Sequence, residues 1–237
     1  MSKLQTLKNW ITQCEHIVFF GGAGVSTESG IPDFRSADGL YAQQFRYPPE
    51  RIISHSFFEN DPACFFEFYK QKMLQLGHTP NITHLKLAQW EREGKLDALI
   101  TQNIDGLHQK AGSKHVLELH GSVLRNYCMS CGKFHSAQFV KGAQGVPKCS
   151  CGGIVKPDVV LYEESLDNRI FEKSVQAIAN ADLLIVAGTS LTVYPAAGLI
   201  DHYCGDKLVL INRDITPFDN MASLVFHDKL GDIFSQL

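Results

Sequence analysis

The sequence predicts an α/β fold: a doubly wound, Rossmann-like parallel sheet with a smaller lobe made of a zinc ribbon and a helical module. Three observations predict it. Apolar runs rich in β-formers alternate with helical stretches, and successive runs end in small polar clusters: Gly21-Gly22, Gln102-Asn103, His120-Gly121, Gly188-Thr189-Ser190 and Asn212-Arg213. The first run, Ile17-Val18-Phe19-Phe20, passes directly into Gly21, Gly22 and Gly24, a buried strand followed by a tight glycine turn. Two close cysteine pairs, Cys128-x-x-Cys131 and Cys149-x-Cys151, interrupt the alternation.

Bulk properties narrow the function. The chain has 237 residues, 44% hydrophobic and 20% charged, enough for one sizeable core and a smaller lobe. A net charge of −3 argues against nucleic acid or a membrane surface as direct partner. No apolar run approaches the roughly 20 residues that span a bilayer. The N-terminal stretch shows helical spacing at Leu4, Leu7, Ile11 and Cys14 instead of a signal-peptide core. Seven cysteines, four in a metal-like quartet, suit a reducing interior, and the expectation is a soluble, cytoplasmic monomer.

Taken in order, Val25 to Ser29 should begin a helix after the glycine turn, its free N–H groups facing a phosphate. The glycine signal alone is ambiguous, because Thr27 stands where a G-x-G-x-x-G fingerprint needs its third glycine. Gly30 and Pro32 end the helix and leave Asp33, Phe34 and Arg35 on a loop. Asp61 reads as an N-cap with Pro62 at the first helical position, followed by the aromatic run Phe65, Phe66, Phe68 and Tyr69, which reads as core. A helix from Thr83, stopped at Gly94, leads to a strand at Leu96–Thr101. Gln102, Asn103 and Asp105 leave its carboxyl end, where open α/β sheets bind ligands, although such residues are also ordinary turn formers. A strand at His115–Leu119 delivers His120 to the same edge. The four thiolates read as a closed structural zinc site, its second pair one residue short of the usual spacing and relieved by Gly152-Gly153. Val159–Tyr162 is extended, Asn168–Ala181 helical, Asp182–Ala187 a central strand, and Pro195 opens a further helix. Lys207–Ile211 and Ser223–Phe226 complete the sheet.

The stretch Gly22-Ala23-Gly24-Val25-Ser26-Thr27-Glu28-Ser29-Gly30-Ile31-Pro32-Asp33-Phe34-Arg35 resembles the signature loop of the sirtuins, the NAD-dependent protein lysine deacylases. Thr101-Gln102-Asn103-Ile104-Asp105-Gly106-Leu107-His108, His120-Gly121 and Gly188-Thr189-Ser190 fit the same family in the same order, and the likeness runs from about residue 16 to the C-terminus.

The resemblance implies deacylation, most simply deacetylation, of lysine in protein or peptide substrates, with NAD as co-substrate, release of nicotinamide and acyl transfer to ADP-ribose. His120 becomes the catalytic base, with Asn103 orienting the ribose or a water. NAD would be held by Gly22, Ala23, Gly24, Thr27, Asp33, Phe34, Arg35, Gln102, Asn103, Ile104, Asp105, His120, Gly188, Thr189, Ser190, Asn212 and Lys229. The substrate peptide would lie as a strand between Val160, Leu161, Tyr162 and Glu163 on one side and Val193 and Tyr194 on the other. Family members often carry Gly where Glu163 stands. The family pattern also implies a large unit of residues 1–35, 77–121 and 157–237, a small lobe of 36–76 and 122–156, and a segment from Ser36 to about Arg46 that moves when NAD binds. Succinyl-preferring sirtuins carry Tyr and, three residues on, Arg; Tyr69 and Lys72 stand there, which favours a neutral acyl group. The alternatives are a protein ADP-ribosyltransferase, a hydride-transferring oxidoreductase and an NAD-sensing module.

Overall fold

The computed structural model describes residues 2–34, 39–42 and 45–237; Arg35 and Ser36–Asp38, Gln43 and Gln44 of the segment expected to move lie outside them. Among the described residues, nine strands form two sheets. Strands β1 (Ile17–Gly21), β2 (Leu96–Thr101), β3 (Val116–Glu118), β7 (Leu183–Ala187), β8 (Leu208–Ile211) and β9 (Leu224–Phe226) make a parallel sheet of order β3-β2-β1-β7-β8-β9. The second, antiparallel sheet has order β5-β4-β6, from β4 (Gly121–Cys128), β5 (Phe134–Ser136) and β6 (Val155–Val159). The α-helices of the described residues are α1 (Lys3–Gln13), α2 (Pro49–Ile52), α3 (His55–Asn60), α4 (Pro62–Phe68), α5 (Ile82–Arg92), α6 (Leu107–Ala111), α7 (Ala137–Gly142), α8 (Asn168–Ala179) and α9 (Leu230–Phe234).

The apolar runs form strands because both faces of the parallel sheet are covered. In β1, Ile17 and Phe19 enter one core with residues of α1, α5 and α9, while Val18 and Phe20 enter the opposite core beside α8. That two-sided burial is why the run is continuous and not alternating. The strand order reverses between β1 and β7, whose ends Gly21 and Ala187 are in register. Loops leaving the two strands diverge there and open a crevice, the usual ligand position in such sheets.

A separate aromatic core joins α3 and α4 to the antiparallel sheet. Phe58, Phe65, Phe66 and Tyr69 pack with Val123, Val140 and Val155. Asp61 caps α4 through the Cys64 N–H at 3.0 Å, with Pro62 at the first position. Asn81 caps α5.

Three local expectations need correction. Val25–Ser29 is not an α-helix but two 3-10 turns, Ala23–Val25 and Thr27–Ser29, closed by Gly30 at φ 85°. The stretch after Pro195 is also 3-10, Ala196–His202. The regular strand lies earlier than expected, Val155–Val159 in β6, and beyond it Tyr162 forms an isolated parallel bridge with Ser54.

Candidate active site

The glycine turn is shaped by a neighbouring loop. A Cβ on Gly22 would lie 2.7 Å from the Thr189 Cβ, and one on Gly24 would lie 2.7 Å from the Gly188 Cα. Gly188 adopts φ 61°, and the Gly24 N–H donates to its carbonyl at 2.8 Å. Two backbones thus meet with no side chain between them at the head of β1 and β7. The Val25, Ser26 and Ser29 N–H groups are spent on the Gly22, Ala23 and Ser26 carbonyls, so these three of the expected helix donors are not free.

Below this contact is a cavity of about 570 Å³. Ala23, Gly24, Thr27, Asp33, Phe34, Gln102, Asn103, Ile104, Asp105, His120, Gly188, Thr189, Ser190, Asn212 and Lys229 line it, as do Val160, Leu161, Tyr162, Glu163, Val193 and Tyr194. Gly22 lies outside the lining, behind Ala23. Ile31, Pro32, Arg213, Asp214 and Asp228 also face the cavity.

Ser26, which the sequence reading passed over, organises the polar floor. Its hydroxyl donates to Asp105 Oδ2 at 2.6 Å and accepts from Asn103 Nδ2 at 3.1 Å. Asp105 Oδ1 accepts the Leu107 N–H at 2.8 Å. Burial raises the Asp105 pKa, and the bonds from Ser26 and Leu107 oppose the rise. The overlooked signal was a small hydroxyl inside the glycine loop, facing the acid-bearing turn after β2.

His120 Nδ1 lies 3.0 Å from the Gln102 carbonyl. A carbonyl only accepts, so the proton sits on Nδ1 and Nε2 keeps its lone pair. Burial lowers the His120 pKa, partly offset by the bond to Gln102, which leaves a neutral imidazole at physiological pH. Gln102 Nε2 donates to Thr189 Oγ1 at 2.9 Å, and the Thr189 N–H donates to Asn212 Oδ1 at 2.8 Å, linking the ends of β2, β7 and β8. Asn212 Nδ2 is buried at the cavity wall without a partner among the described residues.

The segment after β6 is already tied down. The N–H groups of Val160, Leu161 and Tyr162 bond the His120 carbonyl, Glu164 Oε2 and the Ile53 carbonyl at 3.1, 2.9 and 3.0 Å. Glu163 adopts φ 74°, a conformation that favours glycine, and its carboxylate accepts the Ser56 N–H at 2.8 Å and hydroxyl at 3.0 Å. Tyr194 is largely exposed. Phe34 meets Tyr41 edge-on at 5.6 Å, and the Tyr41 and Tyr162 hydroxyls are 3.0 Å apart.

Tyr69 does not reach the cavity. It is fully buried, stacked on Phe65 at 5.6 Å, with a hydroxyl that has no partner and a pKa driven up by burial. Lys72 lines the cavity, its Nζ 5.4 Å from the centre of the Phe45 ring.

The cysteines converge as their spacing predicts. The sulfurs of Cys128, Cys131, Cys149 and Cys151 all lie within 4.8 Å of one another. Gly153 explains how the short second pair closes: a Cβ there would sit 2.7 Å from Cys128 Sγ. Backbone donation around Cys149, from Cys151 foremost, pushes its thiol down to about 5. Four thiolates in this cluster fit a tetrahedral zinc ion with no open position.

The sequence profile of the Sir2 family matches residues 22–195. The chain belongs to the Sir2 family. Its Sir2 relatives align from end to end: a Clostridium acetobutylicum protein named NAD-dependent protein deacetylase is 57% identical, covering 98% of this chain and 97% of its own. A Staphylococcus aureus protein of the same name is 44% identical over 99% and 97%. The solved structure "Sir2-p53 peptide-NAD+" superposes with a TM-score of 0.87 at 37% identity, covering 99% of this chain and 97% of that one. "Structure of Sir2Tm bound to a propionylated peptide" gives 0.87 at 35%, over 99% and 97%. The Sir2 match opens at Gly22, the point of contact with Thr189, and so takes in both loops of the crevice.

Proposed function

We propose that this chain is an NAD-dependent protein lysine deacetylase that releases nicotinamide and passes the acyl group to ADP-ribose. The observation that carries the reading is a neutral His120, its Nδ1 proton fixed by Gln102, in one cavity with the Ser26–Asn103–Asp105 cluster. Near full-length likeness to proteins named NAD-dependent protein deacetylase supports it.

Bound NAD supplies an electrophilic ribose carbon, a nicotinamide leaving group and ribose hydroxyls that accept the acyl group. The residues present suit it. Asp105 and Ile104 hold the carboxamide, the carboxylate accepting an amide N–H. Gln102, Thr189, Ser190 and Asn212 hold ribose and phosphate oxygens, Asn212 through its unpartnered Nδ2. Ala23, Gly24, Thr27, Asp33, Gly188 and Lys229 complete the cofactor site, with Arg35 and Gly22 assigned to it by the family resemblance alone. Phe34 screens the reacting face from water. Asn103 orients the ribose. His120 takes a proton from a ribose hydroxyl at Nε2, the nitrogen that keeps its lone pair. Val160–Glu163, Val193 and Tyr194 border the acyl-lysine peptide. Cys128, Cys131, Cys149 and Cys151 would hold a zinc ion with no position left for substrate, and the ion would stabilise the antiparallel sheet.

Two units follow from the same reading: residues 1–35, 77–121 and 157–237 bind the cofactor, and 36–76 with 122–156 form the second lobe, supported by separate hydrophobic cores on the two sheets. On this reading the chain is a cytoplasmic monomer, its seven cysteines unbridged as a reducing compartment would leave them. No described helix is long and apolar enough to cross a membrane. Incubation with NAD and an acetyl-lysine peptide, with mass spectrometry of both products, tests the proposal. Free lysine peptide with acetylated ADP-ribose is the expected result, whereas labelled ADP-ribose on the protein would support the ADP-ribosyltransferase reading.

A further inference from the structure

His120 sits where the chain crosses between the two sheets, and the crossing is held by an arginine outside both the cavity and the metal centre. Glu118 ends β3 in the parallel sheet, and Gly121 begins β4 in the antiparallel one; only Leu119 and His120 lie between. From β4, Arg125 places Nη1 2.6 Å from Glu118 Oε2 and Nε 2.7 Å from Asp158 Oδ2 on β6. One guanidinium therefore bonds a carboxylate in each sheet. Glu118 is only 11% exposed, and its other oxygen accepts Gln109 Nε2 at 2.8 Å, which extends the clamp to α6, next to Asp105. Asp158 stands two residues before Val160, whose N–H bonds the His120 carbonyl at 3.1 Å. Gly121 has φ 74°, and a Cβ there would run into the Asp158 carbonyl, so backbone meets backbone at the joint.

We propose that Arg125, acting through Glu118 and Asp158, is a positioning residue that holds the part-buried His120 imidazole in place. The inference rests on His120 being the base. A planar fork with two fixed donor directions suits the task, and a lysine would offer one point charge to two diverging carboxylates. Without the clamp β4 shifts against β3, and His120, the hinge between them, moves off the Gln102 carbonyl and further into the cavity solvent.

Full-length, zinc-loaded Arg125→Gln and Glu118→Gln are compared with wild type for kcat, KM and the pH profile of kcat; Arg125→Ala is assayed with and without methylguanidinium. Expected are a fall in kcat of about tenfold, KM values within about twofold of wild type, an acidic limb displaced to higher pH as the imidazole is rewetted, and partial rescue by methylguanidinium. Zinc content and melting temperature establish that each variant is folded; should Arg125→Gln fail to fold, Glu118→Gln, which preserves side-chain shape, carries the same readouts. Wild-type kcat and pH limb in a folded variant would overturn the inference. So would a loss of kcat with an unmoved limb and no rescue, since that describes lost packing alone. His120→Ala separates the two levels: undiminished activity there removes the base assignment, whereas abolished activity beside an ordinary Arg125→Gln removes only the clamp.

Discussion

On the proposed reading, Asn212 Nδ2 and His120 Nε2 are the side-chain atoms that most constrain the cavity's chemistry, one a donor without a partner among the described residues and the other a lone pair left by the Nδ1 bond to Gln102. His120→Ala should lower deacylation by about 10²–10⁴-fold, with ADP-ribose binding, measured calorimetrically, largely retained; activity within a few-fold of wild type would end the assignment. Because burial depresses the His120 pKa, the base stays unprotonated below the ordinary imidazole value of about 6.5, and the acidic limb of kcat/KM should fall below that pH. Acyl choice is also decided by single residues. Tyr69 is locked in the aromatic core, so it is not placed to grip an acyl carboxylate, and only Lys72 faces the cavity. On one peptide, kcat/KM for acetyl-lysine should exceed that for succinyl-lysine by at least about tenfold, roughly 1.4 kcal/mol of transition-state binding. Equal efficiencies would mean that Lys72 alone suffices for a carboxylate. Tyr69 illustrates a limit of reading from sequence: its helical spacing was visible, but which way a tyrosine points at the start of a π-turn, Tyr69–Met73, depends on the packing around it.

At the scale of elements, two devices respond to chemical conditions. The zinc ribbon is one. Cys128→Ser should lower the melting temperature and release about one equivalent of metal; a stable, active, metal-free protein would show that the short second pair closes no site. The other is the contact between α5 and α6, where His84 and His108 lie with ring centres 4.7 Å apart and almost no exposure. Burial pushes His84 down to about 4 and His108 well below its usual value. The unfolded chain gains protons near pH 6.5 while the folded one resists, so stability is intact above about 6.5 and declines as pH falls toward the folded-state values, by up to about 1.4 kcal/mol per pH unit for each ring. Melting temperatures scanned from about pH 7 to 4.5 should show this decline, and His108→Asn should flatten it. Strands, the cap at Asp61 and the thiolate quartet were legible because periodicity, cap chemistry and ligand spacing are local signals. The 3-10 turns after Gly22 were not, because their shape is imposed by Gly188, far along the chain.

Across the whole molecule, the sequence order of the polar clusters predicted the crevice well, since parallel strands bring every carboxyl end to one edge. What it could not supply were contacts between distant segments, such as Ser26 with Asp105 or Arg125 with its two carboxylates. Glu163 is another. Its left-handed backbone costs on the order of 1 kcal/mol, against which stand its two bonds to Ser56 at the start of α3. Glu163→Gly should therefore leave the melting temperature close to wild type while raising KM for the peptide several-fold, because strain and tether disappear together; an unchanged KM would show that the tether does not shape the peptide site. The aromatic core has a consequence in time as well as space. Phe58, Phe65, Phe66 and Tyr69 leave the ribosome early, but Val123, Val140 and Val155, which cover them, belong to strands and a helix translated much later. During that interval a cluster of rings has no native cover, and chain growth must outrun self-association. Slow translation between Leu76 and Val123, or scarcity of zinc to close the ribbon once it emerges, should thus send nascent chains to chaperones or aggregates, although the finished protein buries every one of those rings.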